Sequence, residues 1–274
     1  MLTHPEVFAG ARAAQSLKQE YEEFILQRIE EFKDQLSRRE LLAIADEAVR
    51  ELEMASDDQL VLTEVLVLEH VDRLITRRLN LPTYRRWREK HLRLRRAQRE
   101  LTHWGLDPDT PLRRLIASGP DGTTALVIGG AVASAAFYLA SHGRDVLLID
   151  GELAAVEGAE ARAAGEALVA HFQALVVHLA TWIPDVEPGL AVLDPATLSA
   201  LDSPRRADVI EELKRRTMVG GSHLILPSEG ADGVTSLAPE AMQTYYADWQ
   251  LERPRRRGSL RWFLATRREP GGPA

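Results

Sequence analysis

Two glycines and an aspartate lie at the ends of apolar segments, where they could contribute to a nucleotide-binding site. Gly129 and Gly130 follow the apolar run ALVI (125–128), and Asp150 ends the second apolar run, DVLLID (145–150). The segment between them, SAAFYLASHG (134–143), has a helical composition and ends at a glycine. Strand–helix–strand units bind nucleotides at the carboxyl ends of their strands, where glycine lets the backbone approach a ligand. The sequence therefore predicts one such unit.

Residues for other chemistries are scarce. Cysteine is absent, which excludes disulfides, thiolate metal sites and thiol nucleophiles and fits a reducing compartment. His171 and His178 would lie about 10 Å apart along a helix, and no convergent carboxylate pair accompanies them. The serines of this region have no nucleophile-elbow context. We therefore predict no metal site and no catalytic residue.

A basic block interrupts an otherwise acidic chain. The net charge is −7 overall, −10 over residues 1–72, +9 over residues 73–100 and −6 over residues 101–274. A block this basic needs an anionic partner or an acidic neighbour. One alternative is pairing with the acidic helices of the same chain. The other is a docking surface for a protein partner, a membrane-protein complex or an anionic membrane surface. Nucleic acid is the weakest interpretation, because no recognised motif accompanies the charge. The candidate partner-binding residues are Arg85, Arg86, Arg88, Arg93, Arg95 and Arg96.

The basic block lies within a segment whose sequence patterns predict helices. Apolar residues at steps of three and four predict a helix over 5–35. Ser37 followed by Glu40 matches a capping box that would begin a second helix. Further helices are predicted near 58–79 and from Thr83 to about 100, so we interpret residues 1–100 as a helical domain.

Length and composition agree with a two-domain globular protein. The chain has 274 residues, of which 45% are hydrophobic and 27% charged. No apolar run approaches the roughly 18 residues of a spanning helix, and the first residues lack the pattern of a secretory signal. We expect a cytoplasmic protein, with a peripheral position on the cytoplasmic face of a membrane left open.

The second half of the chain alternates between strand and helix patterns. Residues 101–123 are rich in turn formers and are interpreted as a linker. Residues 124–274 then predict an α/β domain with a doubly wound, mostly parallel sheet. Its predicted strands are 125–130, 145–150, 174–179, 190–194, 222–227 and 259–267, and its predicted helices are 134–143, 151–172, one that begins at Ser203-Pro204, and 238–249.

These segments resemble class I S-adenosylmethionine-dependent methyltransferases, in particular the tellurite-resistance type. The run from Ala125 to Ala163 falls without a gap on that family's glycine motif, first helix and second acidic strand end. LDSPRRADVIEELKRRTMVGGSHLILP (201–227) resembles the helix and Gly-Gly turn before the fifth strand. APEAMQTYYADWQLERP (238–254) and SLRWFLATRRE (259–269) resemble the closing helix and last strands. The resemblance covers about 55% of the chain and implies a Rossmann-like fold with Gly129, Gly130 and Asp150 as cofactor-binding residues.

The departures from that pattern concern the cofactor. The motif reads acid, one residue, then three alternating glycines, whereas this chain has Val127 at the acidic position and Ala131 and Ala133 at the second and third glycines. We expect their methyl groups to crowd the site and to oppose a positive φ. Asp150 matches the acid that accepts hydrogen bonds from ribose hydroxyls, while His178 stands where an acid usually faces the adenine.

Two function classes follow from the resemblance and its departures. The first is a pseudoenzyme with a vestigial or weak cofactor site and no cofactor, an accessory subunit that docks on a larger assembly at the cytoplasmic face of a membrane complex. The second is an active methyltransferase that uses S-adenosylmethionine on an unidentified small molecule or protein. The string VIGGAVAS (127–134) also echoes a flavoprotein spacing, but too few residues follow Asp150 for a typical flavoprotein partner domain.

Overall fold

The computed structural model describes residues 16–55, 64–118, 122–226, 239–252 and 262–268. Within these ranges the chain divides into two compact units, residues 16–93 and residues 94–268. The predicted boundaries at residues 100 and 123 remain a prediction of domain organisation. The predicted helical residues 5–15 and 58–63 and the strand residues 259–261 lie outside the described ranges.

The first unit consists of helices. They are α1 (Leu17–Asp34), α2 (Arg38–Ala55), α3 (Glu64–Arg78) and α4 (Tyr84–Gln98), whose last residues belong to the second unit. The capping box that starts α2 is confirmed, because the Ser37 N–H donates to Glu40 and the Glu40 N–H donates to the Ser37 hydroxyl. A second capping box, Ser16 with Gln19, begins α1. The core of this unit consists of Ile29, Ile44, Ala48, Val71, Leu74 and Ile75.

The second unit is built on a seven-stranded sheet in the order β3-β2-β1-β4-β5-β7-β6. The strands are β1 (Ala125–Ile128), β2 (Val146–Asp150), β3 (Phe172–Val176), β4 (Leu190–Leu193), β5 (Ser222–Ile225), β6 (Gln250–Glu252) and β7 (Phe263–Thr266). The first five strands are parallel, and β7 pairs antiparallel with both β5 and β6. The predicted doubly wound, mostly parallel sheet is confirmed, although the sequence patterns did not predict β6.

Helices cover both faces of this sheet. They are α5 (Leu112–Ser118), α6 (Ala133–Ser141), α7 (Leu153–Gly165), α8 (Pro195–Ser199), α9 (Ser203–Arg216) and α10 (Pro239–Gln243). Successive β1 side chains join opposite clusters: Val127 packs in the cluster that contains α6 and α7, and Leu126 in the cluster that contains α9. This arrangement explains why the central strands are continuous apolar runs rather than alternating ones.

The segment that we interpreted as a linker contributes to the core of the second unit. Leu101, Trp104 and Leu112 are buried in the same cluster as α6 and α7. The Trp104 indole N–H donates to the Gln98 carbonyl at 2.7 Å, and its ring lies 5.5 Å from that of Phe137. Residues 101–118 therefore pack on the sheet as a short 3₁₀ helix followed by α5.

In the described part of the chain, no helix is both long enough and apolar enough to cross a lipid bilayer.

Candidate functional site

The turn after β1 contains a glycine that its neighbours require. Gly129 has φ +103°, a region that side chains rarely adopt. A Cβ on Gly129 would collide with the Thr197 hydroxyl and come within 2.9 Å of the Asp194 Cβ. The Gly129 N–H donates to the Ile149 carbonyl at 2.9 Å, which holds the turn against β2. The close approach made possible by this glycine is therefore an approach to the chain's own loop after β4.

Asp150 closes the same turn from the end of β2. Its Oδ2 accepts a hydrogen bond from the Gly130 N–H at 2.5 Å, and its Oδ1 accepts one from the Glu152 N–H at 2.8 Å. A Cβ on Gly130 would lie 2.9 Å from the Ala155 Cβ and 3.2 Å from the Asp150 carboxylate. The structure thus brings together the three predicted cofactor-binding residues. Hydrogen bonds join Asp150 to Gly130 and to Glu152, the residue before α7, whereas the Gly129 N–H donates to the Ile149 carbonyl.

A third acid lies at the end of β4. Asp194 is only 2% exposed and caps α8, with its carboxylate accepting from the N–H groups of Ala196 and Thr197 and from the Thr197 hydroxyl. We predicted Asp194 only as the last residue of a strand and gave it no role. Asp followed by Pro is an available signal, since Asp favours the N-cap and Pro the first helical position.

The two alanines of the glycine motif do not oppose the local backbone conformation. Ala131 is exposed in a 3₁₀ turn, Gly130–Val132, and Ala133 begins α6 with φ −55°. Neither residue has a positive φ, so the expected conflict is absent because the chain turns directly into helix there. Within this motif the positive φ is confined to Gly129. The crowding of a cofactor by the two methyl groups stays a prediction.

Val127 is fully buried in the centre of the sheet. It lies in register with Leu148 on one side and Val192 on the other. A carboxylate at this position would have to be buried between two apolar strands, which is costly without a partner. The apolar side chain of Val127 therefore fits its position between these two strands.

These contacts use part of the hydrogen-bonding capacity that a bound nucleoside would need. Both oxygens of Asp150 accept a backbone hydrogen bond, and the Gly130 N–H is used by that carboxylate. In the direction where a Cβ would be added, the two glycines are approached closely by Thr197, Asp194 and Ala155. The Gly130 N–H and the close approaches of this glycine turn are thus directed at other residues of the protein.

His178 lies near this edge of the sheet but outside the hydrogen-bonded cluster. It is exposed, two residues beyond β3, with its Nδ1 3.5 Å from where a Cβ on Gly151 would be. His171 lies at the other end of β3, where its Nδ1 is 2.9 Å from an Asp145 oxygen. The described ranges contain no group of three His, Asp or Glu residues placed to hold a metal ion.

A buried polar cluster that the sequence did not indicate lies between β5 and α9. Thr217 Oγ1 donates to the Leu213 carbonyl, so it must accept from the His223 Nε2–H at 2.7 Å. His223 Nδ1 then accepts from the Tyr246 hydroxyl at 2.8 Å. Complete burial, assisted by the positive charge of Lys214, lowers the pKa of His223 to about 3. The ring is therefore neutral, and its tautomer is fixed by its neighbours.

Lys214 is the charged neighbour of this cluster. Its ammonium donates to Glu211, to Asp248 and to the Tyr245 carbonyl. Burial alone would favour the neutral amine, but the hydrogen bonds to Asp248 and Glu211 outweigh it and raise the Lys214 pKa. Burial also raises the pKa of Tyr246. Every partner here is internal, so the cluster has a structural role.

The predicted partner-binding residues are all exposed along α4. The buried side of the helix carries Trp87, whose ring lies 5.5 Å from Tyr21 and 6.2 Å from Phe24 of α1 and 4.5 Å from His91. The two contacts with α1 fix the rotation of α4. The cations lie on the exposed remainder of the helix surface.

Glu47 and Glu51 of the acidic helix α2 pair with α3 rather than with α4. On α2, Glu51 pairs with Arg77 and His70, and Glu47 pairs with Arg78, all on α3. Arg85 of α4 pairs with Glu89 one turn later on the same helix. The charged groups of four other α4 residues make no ion pair or hydrogen bond among the described residues: Arg86, Arg88, Lys90 and Arg96. Pairing within the chain, one of our two alternatives, does not account for these four.

Comparison with known proteins gives structural matches only. No family model matches the sequence, and no curated protein does. Solved structures with a similar fold include the N-methyltransferase NodS from Bradyrhizobium japonicum (18% identity, TM-score 0.46, covering 59% of this chain and 94% of that one). TehB from Haemophilus influenzae is 16% identical (TM-score 0.43, 58% and 61%), and a TehB-like SAM-dependent methyltransferase from Corynebacterium glutamicum is 20% identical (TM-score 0.44, 68% and 95%). NodS and the Corynebacterium protein are described as methyltransferases.

Proposed function

We propose that this chain is a methyltransferase-like accessory protein that does not use its ancestral cofactor site for catalysis. The observation that carries the proposal is the closure of the turn after β1, where Asp150 accepts from Gly130 and Gly129 packs on Asp194 and Thr197. A protein with this site would act through its surface. We place that activity on a larger assembly, at the cytoplasmic face of a membrane complex.

The contacts of Asp150 support a weak cofactor site. Each Asp150 oxygen already accepts one backbone N–H, which holds the carboxylate toward Gly130 and Glu152 and leaves one lone pair on each oxygen for a ribose hydroxyl. A ribose that required the carboxylate to turn away would lose a hydrogen bond worth about 1.5–3 kcal/mol, or one to two powers of ten in affinity. Val127 and His178 add no carboxylate in compensation.

Isothermal titration calorimetry tests this part of the proposal. With S-adenosylmethionine or S-adenosylhomocysteine we expect no saturable heat up to roughly 1 mM ligand, a limit that corresponds to about −4 kcal/mol. Micromolar binding of either compound would contradict the closed site. A circular dichroism spectrum of the same sample serves as the control for folding.

An active methyltransferase is the second candidate, and one observation favours it. Asp150 ends β2 next to a glycine turn, on the edge of a parallel sheet where cofactors bind. In that case the cofactor would have to displace the Gly130 N–H from Asp150, and calorimetry would report tight binding. S-adenosylmethionine would then be the cofactor, and the methyl acceptor would have to be found by assay.

The docking part of the proposal rests on α4. Its exposed cations give a surface whose association with an acidic partner should weaken as salt is added, because exposed charges are screened. Replacing Arg93, Arg95 and Arg96 together by Glu should remove co-purification of a partner at low ionic strength. Unchanged co-purification would show that the partner binds elsewhere.

A further inference from the structure

The outward side of α4 combines charge with a small apolar surface. Between Tyr84 and Gln98 the helix has seven cationic side chains and a single acid, Glu89. Trp87 is held inside the helical unit at 8% exposure. The cations are spread around the rest of the helix circumference. Like charges this close repel each other, and a bound anionic partner would relieve that repulsion.

An open notch interrupts the charged surface. It is lined by Tyr84, Arg85, Arg88, Glu89 and Leu92. Its surface is mostly apolar, and arginine side chains commonly cover such a surface with their aliphatic stems while their charged ends stay in water. Tyr84 is 37% exposed and is held in place by an edge contact with Tyr21 at 5.4 Å and by stacking on Trp87 at 6.4 Å. The notch is therefore a pre-formed apolar site with a cationic rim.

We propose that this face of α4 binds an acidic protein segment that inserts one large apolar side chain into the Tyr84–Leu92 notch. Its carboxylates would pair with Arg88 and Arg96, which have no partner among the described residues. Guanidinium groups match carboxylates in a two-point geometry, and an apolar anchor at the centre of an interface supplies much of its affinity. This inference rests on the proposed docking role and specifies the chemistry of the partner.

Two other polyanions fit the face less well. A helix that binds a membrane inserts a broad apolar side, but here that side is packed against α1. Binding of single-stranded nucleic acid uses exposed aromatic rings for stacking, whereas Trp87 is buried and Tyr84 is held on its neighbours. An apolar notch offers a phosphate group no hydrogen bond, but it accommodates a Leu or Phe side chain.

Fluorescence anisotropy with two synthetic peptides tests the proposal on the full chain. Both are fluorescein-labelled, Glu-rich helical peptides of about 16 residues and equal charge, long enough to follow α4. One has a central Phe and the other a Ser at that position. At low salt we expect the Phe peptide to bind at least about fivefold more tightly than the Ser peptide, because the ring is buried in the notch.

Three variants separate charge from the notch. Arg88→Glu with Arg96→Glu should weaken both peptides by roughly tenfold or more. Leu92→Gln should leave the Ser peptide unchanged and remove the advantage of the Phe peptide. The matched control is Arg38→Glu with Arg39→Glu on α2, which makes the same change of charge at exposed positions and should alter neither affinity by more than about twofold. Circular dichroism confirms that each variant is folded.

Several outcomes would overturn the proposal. These are no binding of either peptide, equal binding of both, or tighter binding of a 20-base-pair DNA duplex or of phosphatidylserine vesicles than of the Phe peptide. Salt-sensitive self-association that the α4 variant abolishes would show that the occupant is an acidic helix of a second copy. The peptide results do not depend on the cofactor titration, so tight S-adenosylmethionine binding would remove the closed-site proposal and leave this one standing.

Discussion

The acidic side chains at the carboxyl edge of the sheet point into the protein, whereas the basic side chains of α4 point away from it. Asp150 and Asp194 accept hydrogen bonds from backbone N–H groups and a hydroxyl of their own loops. Arg86, Arg88, Lys90 and Arg96 have no such partners among the described residues. A polar group that is satisfied internally stabilises the fold, and one that is not remains available to a partner. Our proposal of a docking role for α4 rests on this difference.

The sharpest test of the sheet edge is Gly129→Ala. The positive φ and the collision with Thr197 and Asp194 together should lower the free energy of unfolding by at least about 3 kcal/mol. Gly143→Ala is the matched control, since Gly143 also has a positive φ but would have nothing within 4 Å of its Cβ, and it should cost only about 1 kcal/mol. Urea unfolding measures both. Equal losses would mean that the turn after β1 is not packed as described.

The buried His223 predicts a pH dependence of stability. Its pKa is about 3 in the folded chain and near 6.5 when unfolded, so below pH 6.5 the unfolded chain takes up a proton that the folded chain does not. This group should reduce stability by about 1.4 kcal/mol per pH unit as the pH falls from 6 to 4. His223→Gln should flatten that slope by this amount, whatever its stability at pH 7. A slope shared by both proteins would contradict the buried neutral ring.

Asp150→Asn asks whether the acid serves the fold or a ligand. If its hydrogen bonds to Gly130 and Glu152 stabilise the turn, the free energy of unfolding should fall by about 1–3 kcal/mol in the absence of any ligand. Asp208→Asn, an exposed position on α9, should change it by less than about 0.5 kcal/mol. A neutral or stabilising Asp150→Asn would instead suit an acid kept for binding.

The smallest effects are expected on α4 and have opposite signs. Arg86 and Lys90 are like charges one turn apart, so Arg86→Gln should stabilise the chain by a few tenths of a kcal/mol. Arg85→Gln removes the pair with Glu89 and should destabilise it by a similar amount. Both changes should disappear in thermal melts at high salt. If Arg86→Gln is destabilising at low salt, Arg86 has an internal partner.

Local patterns were sufficient to predict much of the fold. Apolar runs that end in glycine or acid located β1 and β2, and the Ser37–Glu40 spacing located the start of α2, because these signals depend on neighbouring residues in sequence. β6 was missed because Gln250–Glu252 is a short edge strand with polar ends and therefore has no apolar run. The packing of residues 101–118 on the sheet was not predicted, because turn formers dominate the composition of that segment.

The candidate site was predicted in its members but not in its contacts. Gly129, Gly130 and Asp150 were identified from their positions after apolar runs. The packing of Gly129 on Asp194 and Thr197 depends on β4 lying beside β1, a pairing between distant segments that no local pattern encodes. The error over Ala131 and Ala133 has the same origin, since their conformation depends on where α6 begins.

The contact of Gly129 with the loop after β4 has a consequence for the history of this chain. Replacing Ala131 and Ala133 by glycine would restore the glycines of the family motif yet leave Thr197 and Asp194 against Gly129. If the closed site that we propose replaced a cofactor site, reopening it would require the turns after β1 and β4 to separate together. No single substitution would then restore binding, so loss of the site would be easier than its return.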